Sequence, residues 1–293
     1  MSTSKNQEAI VSYIKSFIKL FLITIFLTQS VNAGLFNWKF KIPKSRDNFV
    51  QLGESLPLTL DRNHIKFMVW NIYKAKDEGW SKDFLNYASD VDVFMLQEAA
   101  LNGNMEATLA ELPDFQFDMG ISFVLRKRGP DEATGSLVGS WVTPEEKGVL
   151  ISRDREPIIG TPKAVTYAKY PISQSNESVL VVNIHGLNMT STRKFKRQMN
   201  DCKKLIEKHS GPVVFAGDFN TRSKRRVKYM YKIMKSLGLV EVKFPNDNRR
   251  RSKFTKRFID YSFVRGMDVT SSEVLGHVKS SDHYAMLFTV KIP

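Results

Sequence analysis

Short apolar runs rich in Val, Ile and Phe recur along the chain, and they constrain what it can fold into. They fall at Ile65–Trp70, Val93–Leu96, Ile121–Leu125, Val149–Ile151, Ala164–Ala168, Val179–Ile184, Val213–Ala216, Ile259–Val264 and Ala285–Ile292. Runs this short, with β-branched and aromatic residues, read as strands rather than helices. Helical spacing of apolar residues falls between some of them, at Lys82–Ala88, Asn104–Glu111, Arg193–His209 and Ser223–Leu237. Strands predominate, and hairpin-like stretches stand beside helical crossovers. The expected fold is α/β (α+β): a four-layer sandwich of two packed, mainly antiparallel β-sheets flanked by helices.

From His64 onward there is no linker, repeat or low-complexity tract, so residues 64–293 read as one domain. Residues 34–63 are mixed and contain Pro, and are expected to be a leader that packs on it. The opening 33 residues read as a signal peptide: Lys5, Lys15 and Lys19 precede the apolar run Leu20–Leu27, and a small-residue ending follows at Ala33. That run is far short of the roughly 20 apolar residues that span a bilayer, so no stable membrane span is expected. Cleavage near Ala33 would place the chain in the periplasm or the medium. An uncleaved amphipathic anchor is the other reading of the same segment. Cys202 is the only cysteine, so no internal disulfide forms and no disulfide-linked partner is expected; it reads as an inert helix residue.

Several of the strands end in residues that a buried strand does not need. Asn71 closes the first, Glu98 the second and His185 the third; Gly217-Asp218-Phe219-Asn220 closes another, and Asp282-His283 leads into the last. If these ends meet on one rim, they gather carboxylates, amides and imidazoles. Oxygen donors of this kind suit a hard cation such as Mg²⁺, whereas zinc is disfavoured by the lack of Cys ligands and of a His-x-x-x-His spacing. Each motif alone has a plain reading: Gly-Asp-x-Asn as a turn, a strand-ending Glu as a solvated residue, a single His as a hydrogen-bonded structural one. Their order along the chain is what carries information.

The series Trp70-Asn71-Ile72, Leu96-Gln97-Glu98, Asn183-Ile184-His185, Gly217-Asp218-Phe219-Asn220, Ile259-Asp260-Tyr261 and Ser281-Asp282-His283 resembles the endonuclease/exonuclease/phosphatase (deoxyribonuclease I-like) superfamily over about residues 64–293. Val69–Lys74 and Arg249-Arg250-Arg251 look like a little-characterised bacterial subgroup of it. The resemblance implies a secreted, Mg²⁺- or Mn²⁺-dependent phosphodiesterase. Glu98 and Asn71 would hold the metal, and Asp218 would orient the attacking water, with a low pKa beside the cation. Asn220 would donate to a phosphoryl oxygen, and His185 would protonate the leaving group or bind phosphate. His283 would contact the phosphate or help activate the water, with Asp282 fixing its tautomer, and Asp260 would orient His185. Asn188 is either a turn residue or a phosphate contact.

Charge narrows the substrate class. Lys and Arg number 44 against 30 Asp and Glu, a net +14, which attracts polyanions without naming one. Basic clusters flank three of the motifs, at Arg193–Arg197, Arg222–Arg226 and Arg249–Arg257. One such run is normally a solvated face; three beside strand-end motifs fit contacts to successive phosphates, with Arg249, Arg250 and Arg251 as candidates. Phe195 and Phe254 lie within the runs and either stack on bases or belong to the core. The expected activity is that of a nuclease of low sequence specificity. A phosphatase or phospholipid phosphodiesterase of the same fold, and an inactive secreted binding protein, are the alternatives.

Overall fold

The computed structural model describes residues 39–293; the expected signal peptide and the first residues of the leader lie outside them. The strands up to the chain middle are β1 (Phe40–Lys41), β2 (Phe49–Leu52), β3 (Ile65–Asn71), β4 (Val93–Ala100), β5 (Gln116–Leu125), β6 (Glu132–Ser140) and β7 (Glu146–Ile151). The rest are β8 (Ala164–Pro171), β9 (Ser178–His185), β10 (Val213–Asp218), β11 (Val240–Glu241), β12 (Asp260–Arg265), β13 (Asp268–Val274) and β14 (Met286–Lys291). The helices among the described residues are α1 (Trp80–Ala88), α2 (Gly103–Ala110), α3 (Thr192–Ile206) and α4 (Lys224–Ser236).

The strands form two sheets, ordered β1-β5-β6-β4-β3-β14-β13, with β2 also on β5, and β11-β12-β10-β9-β8-β7. Each sheet is antiparallel except for one central pair, β3 with β4 and β9 with β10. Period-two alternation explains why the runs are apolar throughout. In β3, Ile65, Phe67 and Val69 enter the core between the sheets, while Met68 and Trp70 face α1 and α2. In β9, Val179 and Val181 face inward, while Leu180, Val182 and Ile184 meet α3 and α4. Both faces of these two strands are covered, so neither has a solvent-facing side. Burying each Phe, Leu, Ile or Val contributes about 1.5–3 kcal/mol, and the four-layer arrangement expected from the sequence is the one that covers both faces of strands such as β3 and β9.

The helices lie where their periodicity falls. In α3 the buried residues Phe195, Met199, Cys202 and Ile206 form a single stripe, and Ser191 caps it by accepting from the Lys194 amide. Ser223 caps α4 in the same way through the Arg226 amide. Residues 39–63 are knit into the structure: β1 and β2 pair with β5, and Leu60 is buried in the core between the sheets.

β1, β2, β6, β11 and β13 have no counterpart among the strands expected from the sequence, and β6 and β13 are the longest of them. In β6, the sequence Glu-Ala-Thr-Gly-Ser-Leu-Val-Gly-Ser is too poor in large apolar residues to read as a strand. Its glycines are there for close approach: a Cβ on Gly135 would lie 1.8 Å from the Gly120 carbonyl oxygen, and one on Gly139 would strike the Phe117 ring. β13 is an exposed edge strand with almost no apolar signal.

Candidate active site

The topology brings the polar strand ends together. β3 and β4 run parallel in one sheet, β9 and β10 in the other, so Asn71, Glu98, His185 and Asp218 reach the same rim. β12 and β14 run antiparallel to their neighbours, so it is their beginnings, at Asp260 and just after His283, that arrive there. In register, Asp218 lies opposite both His185 and Asp260.

Local backbone features aim the side chains. The β4–β6 ladder shifts register between Gln97 and Ala99, and Glu98 between them has φ +51°. This bulge frees Glu98 from the alternation of its strand and turns it to the rim, where it is one-quarter exposed. Gln97 points between the sheets instead, donating to Asn183 Oδ1 at 2.7 Å, while Asn183 donates to the Leu96 and Leu137 carbonyls. Gly217 has φ +133° and lies so close to β9 that a Cβ would meet the Ile184 oxygen at 2.2 Å. A glycine is therefore required immediately before Asp218.

Asn71 Nδ2 lies 3.4 Å from both Glu98 Oε1 and Asp218 Oδ2. His185 Nε2 lies 3.8 Å from Asp218 Oδ2 and 4.0 Å from Glu98 Oε1, too far for hydrogen bonds. Asp218 Oδ1 accepts from the Asn220 amide at 2.8 Å. His283 Nδ1 meets both oxygens of Asp260, at 2.8 and 3.0 Å. The segment that carries His283 is stapled to β3: Ser281 Oγ donates to the Asn71 carbonyl at 2.6 Å, and Trp70 Nε1 donates to the His283 carbonyl at 3.0 Å.

The imidazoles are tuned apart. Burial, followed by the positive charges of Lys163 and His283, pushes His185 well below the ordinary imidazole range, so it is neutral at pH 7. Burial would also lower His283, but the charge and hydrogen bond of Asp260 overcome it and raise the group to about 9. Burial, then Asp260, pushes Asp218 up to about 7, the reverse of the low value expected beside a cation, whose charge would pull it down. The rim therefore holds a neutral imidazole, a cationic imidazole and a carboxylate able to take a proton near neutrality.

Residues 68–283 match the Endonuclease/Exonuclease/phosphatase family. The chain belongs to that family. Its members are generally hydrolases of phosphoric esters. Among solved structures, the family protein from Beutenbergia cavernae is 20% identical, covering 79% of this chain and 72% of its own, with a TM-score of 0.62. The one from Leptotrichia buccalis is 14% identical, covering 78% of this chain and 100% of its own, with a TM-score of 0.59. D. rerio TDP2, solved with a single strand DNA product, is 14% identical, covering 78% of this chain and 99% of its own, with a TM-score of 0.53. These likenesses show a shared fold.

Within the family fold, several residues do other work than the resemblance implied. Asp260 holds His283 rather than His185. Asp282 is half-exposed, 3.9 Å from His283 Nε2, and bonds Arg250 at 3.5 Å. The reason is register: Asp260 begins β12 beside Asp218 and faces the buried side of the imidazole. Asn220 Nδ2 donates to the Gly186 carbonyl at 3.0 Å and to Asp218 Oδ2 at 3.1 Å, so in this structure it holds Asp218. Asn188 follows its turn reading, its Oδ1 accepting from the Met189 amide.

The basic clusters divide in the same way. Arg249 is buried, bonded to Glu241 and Asp247 and packed on the rings of Phe244, Phe258 and Tyr261, so it cannot reach a phosphate. Arg251 lies over the Phe258 ring at 3.8 Å, and Arg250 alone of the three faces Asp282 at the rim. Arg226 is also internal, donating to the Leu187, Thr190 and Asn220 carbonyls. Phe195 belongs to the core, whereas Phe254 is 92% exposed. Cys202 is buried and its thiol pKa is raised by that burial, as an inert residue requires.

Trp70, Ser281 and Lys74 carry no individual role in the sequence, and Arg222 enters only as part of a basic cluster. Arg222 donates to Asn220 Oδ1 at 3.0 Å. Lys74 sits in a turn with three successive left-handed residues, Tyr73, Lys74 and Ala75. Such a turn costs about 1–3 kcal/mol per residue. It is held by Asn71 Oδ1 on the Tyr73 amide and by Asn102 Nδ2 on the Lys74 carbonyl. The available signals were the Asn-x-x-Lys spacing after β3 and the position of Arg222 directly after Asn220-Thr221.

Proposed function

We propose that this protein is a secreted, divalent-cation-dependent phosphodiesterase that cleaves nucleic-acid backbones with little sequence preference. The observation that carries the reading is the convergence of Asn71, Glu98 and Asp218 beside two imidazoles, one neutral and one cationic. The donor chemistry fits a hard cation. Glu98 offers a partly exposed carboxylate beside the Asn71 amide, with no sulfur ligand near. Asp218, Asp260 and His283 also have ligand atoms within 4.8 Å of one another, but Asp260 and the His283 Nδ1 satisfy each other there. Glu98 and Asn71 would thus hold Mg²⁺ or Mn²⁺. When bound, such a cation polarises a phosphoryl oxygen and offsets charge on the leaving oxygen.

The chain's own groups supply the rest. Asp218, fixed by Asn220, orients a water and takes its proton as the water oxygen bonds phosphorus. The ester P–O bond breaks, and the leaving oxygen receives a proton from imidazolium His283, which Asp260 keeps charged. His185, being neutral, is suited to donate a hydrogen bond to a phosphoryl oxygen. Residues 64–293 would be the hydrolase domain, and the basic, then apolar, opening of the chain supports export with cleavage near Ala33.

The nuclease reading rests on the net charge of +14 and on Arg250 and Arg222 at the rim. The test is a panel of plasmid, single-stranded DNA, RNA, sphingomyelin and inositol phosphates with Mg²⁺, Mn²⁺ or EDTA. Cleavage of the nucleic acids alone is expected. Turnover confined to lipid or small esters would replace this reading with a phosphatase or phospholipase one.

A further inference from the structure

The segment that leads into β12 is built to display one aromatic ring. Its root is fixed by buried Arg249, whose guanidinium bonds Glu241 and Asp247. Arg251 and Phe258 form a bridge, so residues 252–257 make a closed turn. The turn is tied internally: the Ser252 amide donates to the Arg257 carbonyl at 2.8 Å, the Lys256 amide to the Ser252 carbonyl at 2.9 Å, and Arg251 to the Lys256 carbonyl at 3.2 Å. Lys256 takes φ +56° to close it. Phe254 stands at the tip of this turn, 92% exposed, the most exposed large apolar side chain among the described residues.

A phenyl ring held in water on a tied turn gains nothing from the fold. One exposed apolar side chain is ordinary by itself; what marks this one is its display on a tied turn that carries basic residues and adjoins the rim. Its sequence neighbours are Lys253, Lys256 and Arg257, so the turn carries positive charges. The turn also opens directly onto the rim, because Arg250 reaches Asp282 and Asp260 follows the turn. Even fully extended, the six residues from Phe254 to Asp260 span no more than about 20 Å, the reach of a few nucleotides. An exposed aromatic ring on a turn that also carries cations complements an unpaired base on a phosphate backbone, since the ring stacks and the cations meet phosphate.

Resting on the nucleic-acid reading above, we infer that Phe254 is a stacking platform for an unpaired base within a few nucleotides of the scissile phosphate. The protein therefore prefers single-stranded or frayed strands to closed duplex. A paired base offers its faces to its neighbours in the stack, whereas an unpaired one accepts the ring of Phe254.

The test measures binding of a short oligonucleotide carrying 2-aminopurine, single-stranded and as a duplex, in EDTA to hold turnover. The proteins are the wild type, Phe254→Ser and Phe254→Trp. Phe254→Ser should weaken single-strand binding roughly tenfold and duplex binding by less than about twofold. It should leave the salt slope unchanged, because no phosphate contact is lost. Phe254→Trp should restore affinity and quench the fluorophore. Since the ring is exposed, the melting temperature should not move. Equal loss on both strand forms, or none, overturns the inference while nucleic-acid cleavage by the wild type leaves the nuclease reading standing. A wild type that neither binds nor cleaves nucleic acid overturns both. Retention on phosphatidylserine vesicles that depends on Phe254, without any effect on oligonucleotides, would make the turn a membrane contact instead.

Discussion

Both carboxylate oxygens of Asp260 grip Nδ1 of His283, at 2.8 and 3.0 Å, across the boundary between the two sheets. This pair sets the charge of the rim. His283 is buried, yet it is raised to about 9 because the carboxylate stabilises its imidazolium form more than burial destabilises it.

Asp260→Asn should remove that support. His283 should then titrate at least a unit lower, as followed by the pH dependence of its imidazole NMR signals. A group whose folded pKa is raised contributes stability that is complete below its unfolded value, near 6.5, and is lost as pH rises through about 9. The melting temperature of the wild type should therefore fall between pH 6.5 and 9 through this group, and the Asn variant should lack that component. Turnover near neutral pH should fall about 10²-fold, with the largest losses on substrates whose leaving oxygens are poor. An unshifted His283 in the variant would break the link between the pair and its charge.

Glu98→Gln and Asp218→Asn should each lower turnover by about 10²-fold or more with the fold intact. They should differ in metal binding. Calorimetric titration with Mg²⁺ should lose its signal in Glu98→Gln and retain it, altered, in Asp218→Asn, because the first residue is assigned to hold the cation and the second to orient water. Wild-type turnover in either variant on a confirmed substrate would remove that residue from the mechanism.

The arginines of the 249–251 run should behave oppositely. Arg249→Ser leaves Glu241 and Asp247 without their shared buried cation, which typically costs about 3–5 kcal/mol, so the melting temperature should drop. Arg250→Ser should leave stability nearly unchanged. It should flatten the log–log salt dependence of DNA binding by about 0.9 on duplex, or about 0.7 on single strands, as one phosphate contact is lost. The opposite pattern would return Arg250 to a purely structural role through Asp282.

The two-sheet architecture was readable because strands covered on both faces leave unbroken apolar runs, as β3 and β9 do. β6 escaped because its information is in glycines that permit close approach, and β13 because an exposed edge strand buries too little to leave a pattern. At the site, Asn71, Glu98, His185, Asp218 and His283 could be named from polar residues at strand ends, and Asp260 from the family resemblance. Their pairing could not: whether Asp260 meets His185 or His283 depends on register between β10 and β12, which local sequence does not carry. The fates of Arg249 and Phe195 were hidden for a similar reason. A charge run or an aromatic residue looks the same whether it faces solvent or turns inward to partners distant in the chain, such as Glu241.

The most direct test of the central claim is nicking and cleavage of supercoiled plasmid and single-stranded DNA by the purified protein, with Mg²⁺ or with EDTA, beside Glu98→Gln. Cleavage of both DNAs that needs the cation and falls about 10²-fold or more in the variant is the predicted result. Absence of cleavage with either Mg²⁺ or Mn²⁺, or equal cleavage by the Glu98→Gln variant, would contradict it.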